Sequence, residues 1–182
     1  MNREHVLVIG GTGMLKDVCL WFADNGYIVS VIGRSPRKHN HLLAASAYPE
    51  LINSLVVDYT NHFLLERQMR DAMENYGPFS IVVSWISTLP TLEIINDIVS
   101  EQRSSWKLYQ VKGSKRYFED DFLDVPSNCK HRSIYLGFVL EGNASRWLTN
   151  AEISQGVIKG VEEDAIDSIV GVLHPYEKRP SS

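Results

Sequence analysis

Apolar residues along this chain fall into short runs rich in Val and Ile, separated by longer segments with the spacing of amphipathic helices. Such alternation is typical of βαβ units, in which helices bury both faces of a parallel sheet. The pattern therefore predicts an α/β fold built as a doubly wound parallel sheet of about seven strands. The predicted strands cover residues 5–10, 27–33, 54–57, 80–84, 107–111, 133–140 and 168–173.

Three of the predicted helices carry clear boundary signals. The first should begin at Thr12 or Gly13 and end at Asp24, before an Asn-Gly stop at 25–26. The third should begin at a Thr-Asn cap at 60–61 and end at the Gly-Pro pair 77–78, and a capping box at 149–152 should start the last. We expect one domain over 1–182, with an irregular segment at 112–131 and a tail at 174–182.

Composition and charge narrow the classes of function. The chain has 182 residues and a net charge of −4 without a basic stripe, so nucleic acid is not expected as a partner. No apolar run reaches the roughly 18 residues of a membrane helix, and no signal sequence is evident, which predicts a cytoplasmic protein. Cys19 and Cys129 lie in no Cys/His cluster, so we expect neither a metal site nor a disulfide, and Cys19 is interpreted as a core residue.

One motif carries a chemical signal: a buried strand that turns through glycines directly into a helix. The turn comprises Gly10, Gly11, Thr12, Gly13, Met14 and Leu15. Glycines at this place let the backbone approach a pyrophosphate, while the free N–H groups of the following helix attract its charge. The context of strand and helix favours a dinucleotide site over a tight turn that binds nothing.

This turn resembles the GGTGxxG nucleotide-binding turn of the short-chain dehydrogenase/reductase superfamily, in its extended and atypical branches. The resemblance extends to Val111 and implies a Rossmann fold that binds NAD(P), with a homo-oligomer as the usual assembly. It implies that Asp58 and Tyr59 lie beside the adenine, and that residues 136–139 correspond to the segment whose backbone faces the nicotinamide. The residues implied near the ribose and the nicotinamide side are Ser84, Trp85 and Ile86.

The family's third glycine is replaced by Lys16, which bears on how closely the first helix can pack on the sheet. A lysine in the first helical turn opposes the helix dipole unless an anion lies nearby. Lys16 would then bind a cofactor phosphate; alternatively it points to solvent and Asp17 offsets its charge. The sequence favours neither alternative.

The segment after the second strand indicates which nicotinamide cofactor is preferred. An NAD site carries an acid about 20 residues past the glycine turn, to bind the adenosine ribose, yet no acid occurs from Tyr27 to Pro49. The residues found there instead are Arg34, Ser35, Arg37 and Lys38. Basic side chains at this place suit a 2′-phosphate, so the sequence predicts NADP over NAD, the alternative being a solvated basic loop.

The catalytic residues are harder to find, because no tyrosine is followed four residues later by lysine as in the family's Tyr-x-x-x-Lys pair. By position, Ser114 resembles the family's catalytic serine, with Lys115 and Tyr117 beside it. The alternative is a loop whose Tyr117-Phe118 pair packs on the sheet. Further candidates are His174 and Tyr176 in a tail that would fold back over the site, whereas Ser87 and Thr88 are expected to cap a helix.

Three functions remain open at this stage, because a fold does not determine a function. The first is an atypical reductase in which NADPH reduces a small carbonyl substrate. The second is a regulator that senses NADP(H) and signals to a partner protein without turnover. The third is a structural subunit with no affinity for dinucleotides.

Overall fold

The computed structural model describes residues 3–86, 88–102 and 104–181, so Ser87, one of the predicted helix caps, lies outside the described residues. Short 3-10 turns lie at Pro49–Leu51 and Tyr176–Lys178. Along the chain the strands and helices are β1 (His5–Ile9), α1 (Lys16–Asp24), β2 (Ile28–Gly33), α2 (Pro36–Ala45), β3 (Ile52–Val56), α3 (His62–Tyr76), β4 (Phe79–Ser84), α4 (Leu89–Ser100), β5 (Trp106–Gly113), α5 (Lys115–Phe118), β6 (Cys129–Leu136), β7 (Phe138–Glu141), β8 (Ala144–Trp147), α6 (Asn150–Glu163) and β9 (Asp167–Val170).

The main sheet has seven strands in the order β3-β2-β1-β4-β5-β6-β9, with parallel pairing throughout. This confirms the predicted doubly wound fold. The strand order reverses between β1 and β4, because β2 and β3 lie on one side of β1 and the later strands on the other. Ligands of such sheets bind in the crevice outside the carboxyl ends of the strands at this switch point.

Helices bury both faces of the sheet. The helices α1, α2 and α6 contribute to one apolar core, which includes Val18, Leu42 and Val157, and α3 and α4 contribute to the other, which includes Leu65 and Leu92. Strand β1, in the middle of the sheet, is buried along its whole length, as the Val- and Ile-rich run of the sequence predicts.

Most of the helix boundaries agree with the capping signals in the sequence. The Asn61 side chain accepts a hydrogen bond from the Leu64 amide, and α3 ends at Gly77, which has a positive φ of 93°. Thr149 and Glu152 form both hydrogen bonds of the capping box that starts α6. The predicted start of α1 at residue 12 or 13 is wrong, because residues 11–15 form turns and the helix begins at Lys16.

The sixth predicted strand, 133–140, is divided in two. Strand β6 ends at Leu136, and the chain then leaves the main sheet to form an antiparallel hairpin of β7 and β8. The chain leaves the sheet at Gly137. Val172 passes so close to this residue that a Cβ atom on it would lie 2.1 Å from the Val172 carbonyl oxygen. The predicted last strand, 168–173, is shorter for the same reason: Val172 and Phe138 exchange backbone hydrogen bonds at a bridge outside the sheet.

The segment predicted to be irregular, 112–131, is more ordered than expected. Strand β5 continues through Lys112 to Gly113, α5 follows as a helix of four residues, and β6 begins at Cys129. Strand β5 is therefore long enough to carry Lys112 to the carboxyl edge of the sheet.

Two classes of feature are missing from the described part of the chain. None of its helices has the length and apolar character needed to cross a membrane. Its His, Cys, Asp and Glu side chains form no group of three that could hold a metal ion.

Cys19 is fully buried in the core, as predicted.

A buried histidine joins the strands at the amino edge of the sheet. His5 Nε2 lies 2.6 Å from the Ser30 hydroxyl oxygen, and Nδ1 lies 2.9 Å from the Gly77 carbonyl oxygen. Asn53 donates a further hydrogen bond to the same Ser30 oxygen. Burial lowers the pKa of His5 to about 4, although the Gly77 carbonyl acts in the opposite direction. The imidazole is therefore neutral in the folded protein at neutral pH.

We expect His5 to make the free energy of unfolding depend on pH between about 6.5 and 4. In this window the unfolded state binds a proton and the folded state does not, so stability is present at higher pH and is lost as pH falls. Between pH 7.5 and pH 4.5 the loss assigned to His5 is about 2 to 3 kcal/mol. Urea unfolding at both pH values should show this difference in the native protein, reduced by that amount in His5→Gln.

Other titrating groups, including His131, contribute to both proteins and cancel in the comparison. An equal pH dependence in the native protein and in His5→Gln would contradict the assignment.

Candidate functional site

The glycine turn lies at the switch point, between the carboxyl ends of β1 and β4. Gly10 has a positive φ of 96°, and its carbonyl oxygen accepts hydrogen bonds from the Gly13 and Leu15 amides. Trp85, which follows β4, donates its backbone N–H to the Ile9 carbonyl, and a Cβ atom on Gly10 would lie only 3.2 Å from the Trp85 Cβ. A side chain at Gly10 would therefore strain both the turn and its contact with the neighbouring strand.

The glycines of the turn divide two tasks between them. Gly11 lies against α1, since a Cβ atom there would be 2.4 Å from Cys19 Sγ and 3.0 Å from the side chains of Val8 and Val31. Gly13 has no heavy atom within 4 Å of its Cβ position. Gly11 thus permits the close packing of helix on sheet that the family pattern assigns to a glycine at the place of Lys16. Gly13 leaves open space that part of a ligand could occupy.

A cleft of about 550 Å³ opens over the carboxyl ends of β1, β2 and β3. Its size falls within the range of cofactor sites. Its lining includes many of the residues predicted from the sequence, and the full set is Gly10, Thr12, Gly13, Met14, Ile32, Gly33, Arg34, Lys38, Val57, Asp58, Tyr59, Thr60 and Trp85.

Other residues predicted for the cofactor site do not line this cleft. Gly11 and Leu15 are buried in the core, and Ser84 is buried within β4. Lys16 is partly buried and forms no ion pair with Asp17 or with any other described residue. The predicted alternatives for Lys16, a cofactor phosphate or an offset by Asp17, therefore both remain predictions.

The basic loop after β2 presents two of its three cations to the cleft. Arg34 and Lys38 line the cleft, whereas Arg37 is exposed on α2 and Ser35 caps that helix by accepting a hydrogen bond from the Lys38 amide. Ser35 is thus a capping residue in this structure, which the Ser-Pro sequence at 35–36 could have indicated.

Asp58 stands close to this basic loop. Hydrogen bonds from the Thr60 amide and hydroxyl, with a smaller contribution from the charge of Arg34, hold the pKa of the Asp58 carboxyl below its usual range. The carboxylate is therefore charged at neutral pH and can accept a hydrogen bond from a ligand that enters the cleft.

A second compartment of about 270 Å³ lies beside this cleft, and Tyr59 and Trp85 line both. We call it the β5 compartment. Its lining is Tyr59, Trp85, Ile86, Val111, Lys112, Gly113 and Arg116. Neither Lys112 nor Arg116 was predicted for the site. Lys112 was missed because it lies near the end of a mostly apolar strand. The neighbouring residues give no signal that its ammonium group points into the protein.

The predicted catalytic residues are not brought together as expected. Ser114 Oγ lies 3.2 Å from the Tyr176 hydroxyl oxygen, a hydrogen bond in which either group can donate. Tyr117 instead packs by ring edges against Phe118, Tyr135 and His174, and Lys115 is exposed on α5. Among the described residues, the Tyr117 and Ser114 side chains share no hydrogen bond. The partner of Ser114 thus comes from the tail, 62 residues away in sequence.

The tail folds back on α5, which is one of the outcomes that the sequence left open. The Tyr176 ring lies 4.5 Å from the Phe118 ring, and the Arg179 guanidinium lies 4.4 Å from the centre of the Tyr176 ring. Tyr117 and Phe118 are 41% and 45% exposed, and the Tyr117 ring packs on the Tyr135 ring of β6. The pair is thus exposed, although Tyr117 packs on the sheet as that alternative predicts. Tyr117 and Phe118 thus pack against residues of the tail.

A lysine beside a tyrosine also occurs in the β5 compartment, but it does not activate that tyrosine. Lys112 Nζ lies 2.6 Å from Asp120 Oδ2, and the Tyr135 hydroxyl donates to the same oxygen at 2.9 Å. Burial and the Asp120 carboxylate raise the pKa of Tyr135 to about 12. Tyr135 therefore keeps its proton, which is the opposite of the effect that the family's lysine has on its tyrosine.

Two further expectations concern backbone and cap positions. The amides of Gly137 and Phe138 donate to the Val170 and Val172 carbonyls, and the expectation that the backbone of residues 136–139 faces a nicotinamide stays a prediction. Thr88 is the N-cap residue of α4 by position, but its side chain makes no capping hydrogen bond.

Solved structures share this fold. A short-chain dehydrogenase/reductase of the glucose/ribitol dehydrogenase type from Brucella melitensis aligns with 93% of this chain and 96% of its own, with a TM-score of 0.71 and 10% sequence identity. An apo SCOR enzyme from Clostridium thermocellum aligns with 100% of this chain and 96% of its own, with a TM-score of 0.68 and 14% identity. Actinorhodin polyketide ketoreductase with NADPH aligns over 94% and 98%, with a TM-score of 0.71 and 12% identity.

No protein-family model and no curated protein sequence matches the chain. At 10 to 14% identity the structural likeness establishes the fold, which is the Rossmann fold of the short-chain dehydrogenases and reductases that the glycine turn implied.

Substitution by valine should have different effects at Gly13 and at Gly11. In Gly13→Val the new side chain enters open space, so we expect the fold to persist and the dissociation constant for NADPH to rise at least about 100-fold, because the side chain would occupy the place predicted for the pyrophosphate. Calorimetric titration measures the affinity, and thermal unfolding measures the fold.

Gly11→Val is the contrasting variant. Its side chain collides with Cys19 and Val31, which should lower stability by about 1 to 3 kcal/mol. Unchanged NADPH affinity in a folded Gly13→Val protein would contradict the assignment of the site.

Proposed function

We propose that this protein is an NADP(H)-dependent oxidoreductase of the short-chain type that acts on a small carbonyl substrate. The observation that carries the proposal is the pair of adjacent compartments over the carboxyl edge of the sheet, one lined by the glycine turn and the basic loop. A dinucleotide has an anionic middle and two flat ends, and this edge provides a cleft lined by the glycine turn with a second cavity beside it. Binding of NADPH in actinorhodin polyketide ketoreductase, which shares the fold, is consistent with this proposal.

The preference for NADP rests on Arg34 and Lys38. Both cations line the adenosine part of the cleft, and no acidic residue of β2 or of the loop after it stands where an NAD-binding acid belongs. A hydrogen bond to a charged group is worth about 1.5 to 3 kcal/mol, so one contact with the 2′-phosphate corresponds to at least about tenfold discrimination.

The residues present fit such a cofactor. Gly13 leaves the space that a pyrophosphate needs, and Asp58 and Thr12 offer polar groups to the adenosine end. When bound, NADPH would supply the hydride for reduction of a carbonyl carbon.

Reduction of a carbonyl also requires a proton at the oxygen, and the Ser114 and Tyr176 hydroxyl groups are suited to deliver it. Ser114 directly follows Gly113, which lines the β5 compartment, and its hydroxyl is hydrogen-bonded to that of Tyr176. We assign the proton donor to Tyr176 Oη and the orienting hydrogen bond to Ser114 Oγ. This assignment replaces Tyr117 and Lys115 of the sequence prediction.

A second candidate function is a regulator that binds NADP(H) without turnover. It is favoured by the lack of a Tyr-x-x-x-Lys pair in the sequence and by the length of α5, which is one turn where the family has its active-site helix. In this alternative the tail that packs on α5 would report cofactor binding to a partner protein. A cytoplasmic location and assembly into a homo-oligomer remain predictions under either function.

The experiment that tests the proposal has two stages. Nucleotide-free protein is titrated calorimetrically with NADPH and with NADH, and the loaded protein is then assayed for oxidation of NADPH with a panel of small aldehydes, ketones and oxo acids. Tight NADPH binding with turnover supports the oxidoreductase, and tight binding with no turnover supports the regulator. No binding of either nucleotide to folded protein refutes both and favours a structural subunit.

We expect Arg34→Ala to raise the dissociation constant for NADPH at least about tenfold and that for NADH less than about threefold, because the lost contact is made to the 2′-phosphate alone. Arg37→Ala is the matched control, since Arg37 belongs to the same loop but does not line the cleft. Calorimetry with both nucleotides measures the effect. Equal losses for NADPH and NADH in Arg34→Ala would refute the 2′-phosphate assignment.

Tyr176→Phe should lower kcat by about 10² to 10⁴, the usual contribution of a general acid, and leave the NADPH affinity within about twofold. Ser114→Ala should also lower kcat. Tyr117→Phe serves as the control, because Tyr117 belongs to the same aromatic cluster without a hydrogen bond to Ser114. Steady-state kinetics with the best substrate of the panel provide the measurement, and a Tyr117→Phe effect larger than that of Tyr176→Phe would contradict the assignment.

A further inference from the structure

The β5 compartment carries more positive than negative charge. Lys112 and Arg116 both line it, and the carboxylate that faces them is that of Asp120. Lys112 Nζ lies 2.6 Å from Asp120 Oδ2, while Arg116 Nη2 lies 2.9 Å from Asp120 Oδ1. Two cations thus share the one carboxylate within ion-pair distance of them, and the more distant Asp167 acts on the same cluster.

The carboxylate of Asp120 is also shared with a third donor. The Tyr135 hydroxyl donates to Asp120 Oδ2, the same oxygen that Lys112 contacts. Lys112 completes its contacts with the Ser133 hydroxyl at 3.0 Å. Asp120 therefore distributes its charge over three donors and neutralises neither cation fully.

Arg116 is the less completely bound of the two cations. Its Nε donates to Asp120 Oδ1 at 3.1 Å, but its Nη2 is buried and is not aligned to donate to that oxygen or to another described group. Buried donors without an acceptor cost free energy, so a second carboxylate that the guanidinium could reach would be stabilising. A fifth of the Arg116 side chain is exposed, and the residue lines the compartment.

The remaining walls of the compartment strengthen the effect of the charge. Ile86 and Val111 are buried apolar residues, and a charge beside such walls interacts more strongly than in water. At about 270 Å³ the compartment is also small. It suits a compact molecule with one charged group rather than a long chain.

From this geometry we infer that the β5 compartment binds the carboxylate of a small oxo acid, so that the substrate of the proposed reductase is an anion. This inference rests on the proposed function and names its substrate class. Arg116 provides the direct contact with the carboxylate, Lys112 provides background charge, and Asp120 limits the affinity by competing for both.

The test uses pyruvate and pyruvamide, which have nearly the same size and differ in charge. Each is titrated by calorimetry into protein saturated with NADP⁺, which cannot reduce either compound. We expect pyruvate to bind at least about tenfold more tightly than pyruvamide. Equal binding of the two compounds, or binding of neither, overturns the inference.

Substitutions of Arg116 and of Asp120 should change the affinity for pyruvate in opposite directions. Arg116→Gln should weaken pyruvate binding at least about tenfold, whereas Asp120→Asn should strengthen it about threefold or more, because it removes the competing carboxylate. Lys115→Gln is the control, since Lys115 is an exposed cation next to Arg116 that does not line the compartment. A merely structural cluster predicts that Asp120→Asn weakens binding as Arg116→Gln does, and that result overturns the inference.

Two further measurements keep the outcomes distinct. Thermal unfolding checks that each variant is folded, and Arg116→Lys keeps the charge if the Gln variant is not. Prior titration with NADP⁺ tests the proposed function separately: if NADP⁺ does not bind, that function fails, and the pyruvate and pyruvamide titrations are made on the nucleotide-free protein. A preference for pyruvate there supports the anion site alone, and its absence overturns this inference too.

Discussion

The contact between Gly11 and Cys19 is the constraint on which the rest of the site depends. A Cβ atom on Gly11 would lie 2.4 Å from the Cys19 sulfur, so only a glycine lets α1 lie this close to β1. Because α1 is held there, the turn between them is short, and Gly10 must adopt a positive φ to make it. The open space at Gly13 follows from this packing. The place that a dinucleotide would use is thus a consequence of how the first helix meets the sheet.

The same edge of the sheet then collects charge on both sides of the turn. On one side, Arg34 and Lys38 enter the cleft because α2 begins directly after β2, with Ser35 as its cap. On the other side, β5 extends to Gly113 and carries Lys112 to the edge, where α5 adds Arg116. Short loops between strand and helix therefore place cations at both ends of the cleft. This arrangement suits a ligand pair in which both the cofactor and the substrate are anionic.

The sequence predicted what depends on local rules, and missed what depends on distant contacts. The strands of the sheet, the caps at Asn61 and Thr149 and the stop at Gly77 follow from periodicity and capping, which act within a few residues. The replacement of the family glycine by Lys16 raised a doubt about helix packing that Gly11 resolves, since its neighbours across the sheet cannot be inferred from spacing. The partner of Ser114 was left open for the same reason, because 62 residues separate it from Tyr176.

The path of the chain after β6 explains how a tail residue reaches the carboxyl edge. Leaving the sheet at Gly137, the chain forms the hairpin of β7 and β8, and α6 and β9 then return it along the sheet. After β9, Val172 crosses over Gly137 and exchanges hydrogen bonds with Phe138, which is possible only because Gly137 has no side chain. This crossing directs the last residues back toward α5, where Phe118 and Tyr176 pack together. The one-turn α5 carries Tyr117, whose side chain shares no hydrogen bond with that of Ser114, and the crossing at Gly137 brings Tyr176 of the tail to the Ser114 hydroxyl instead.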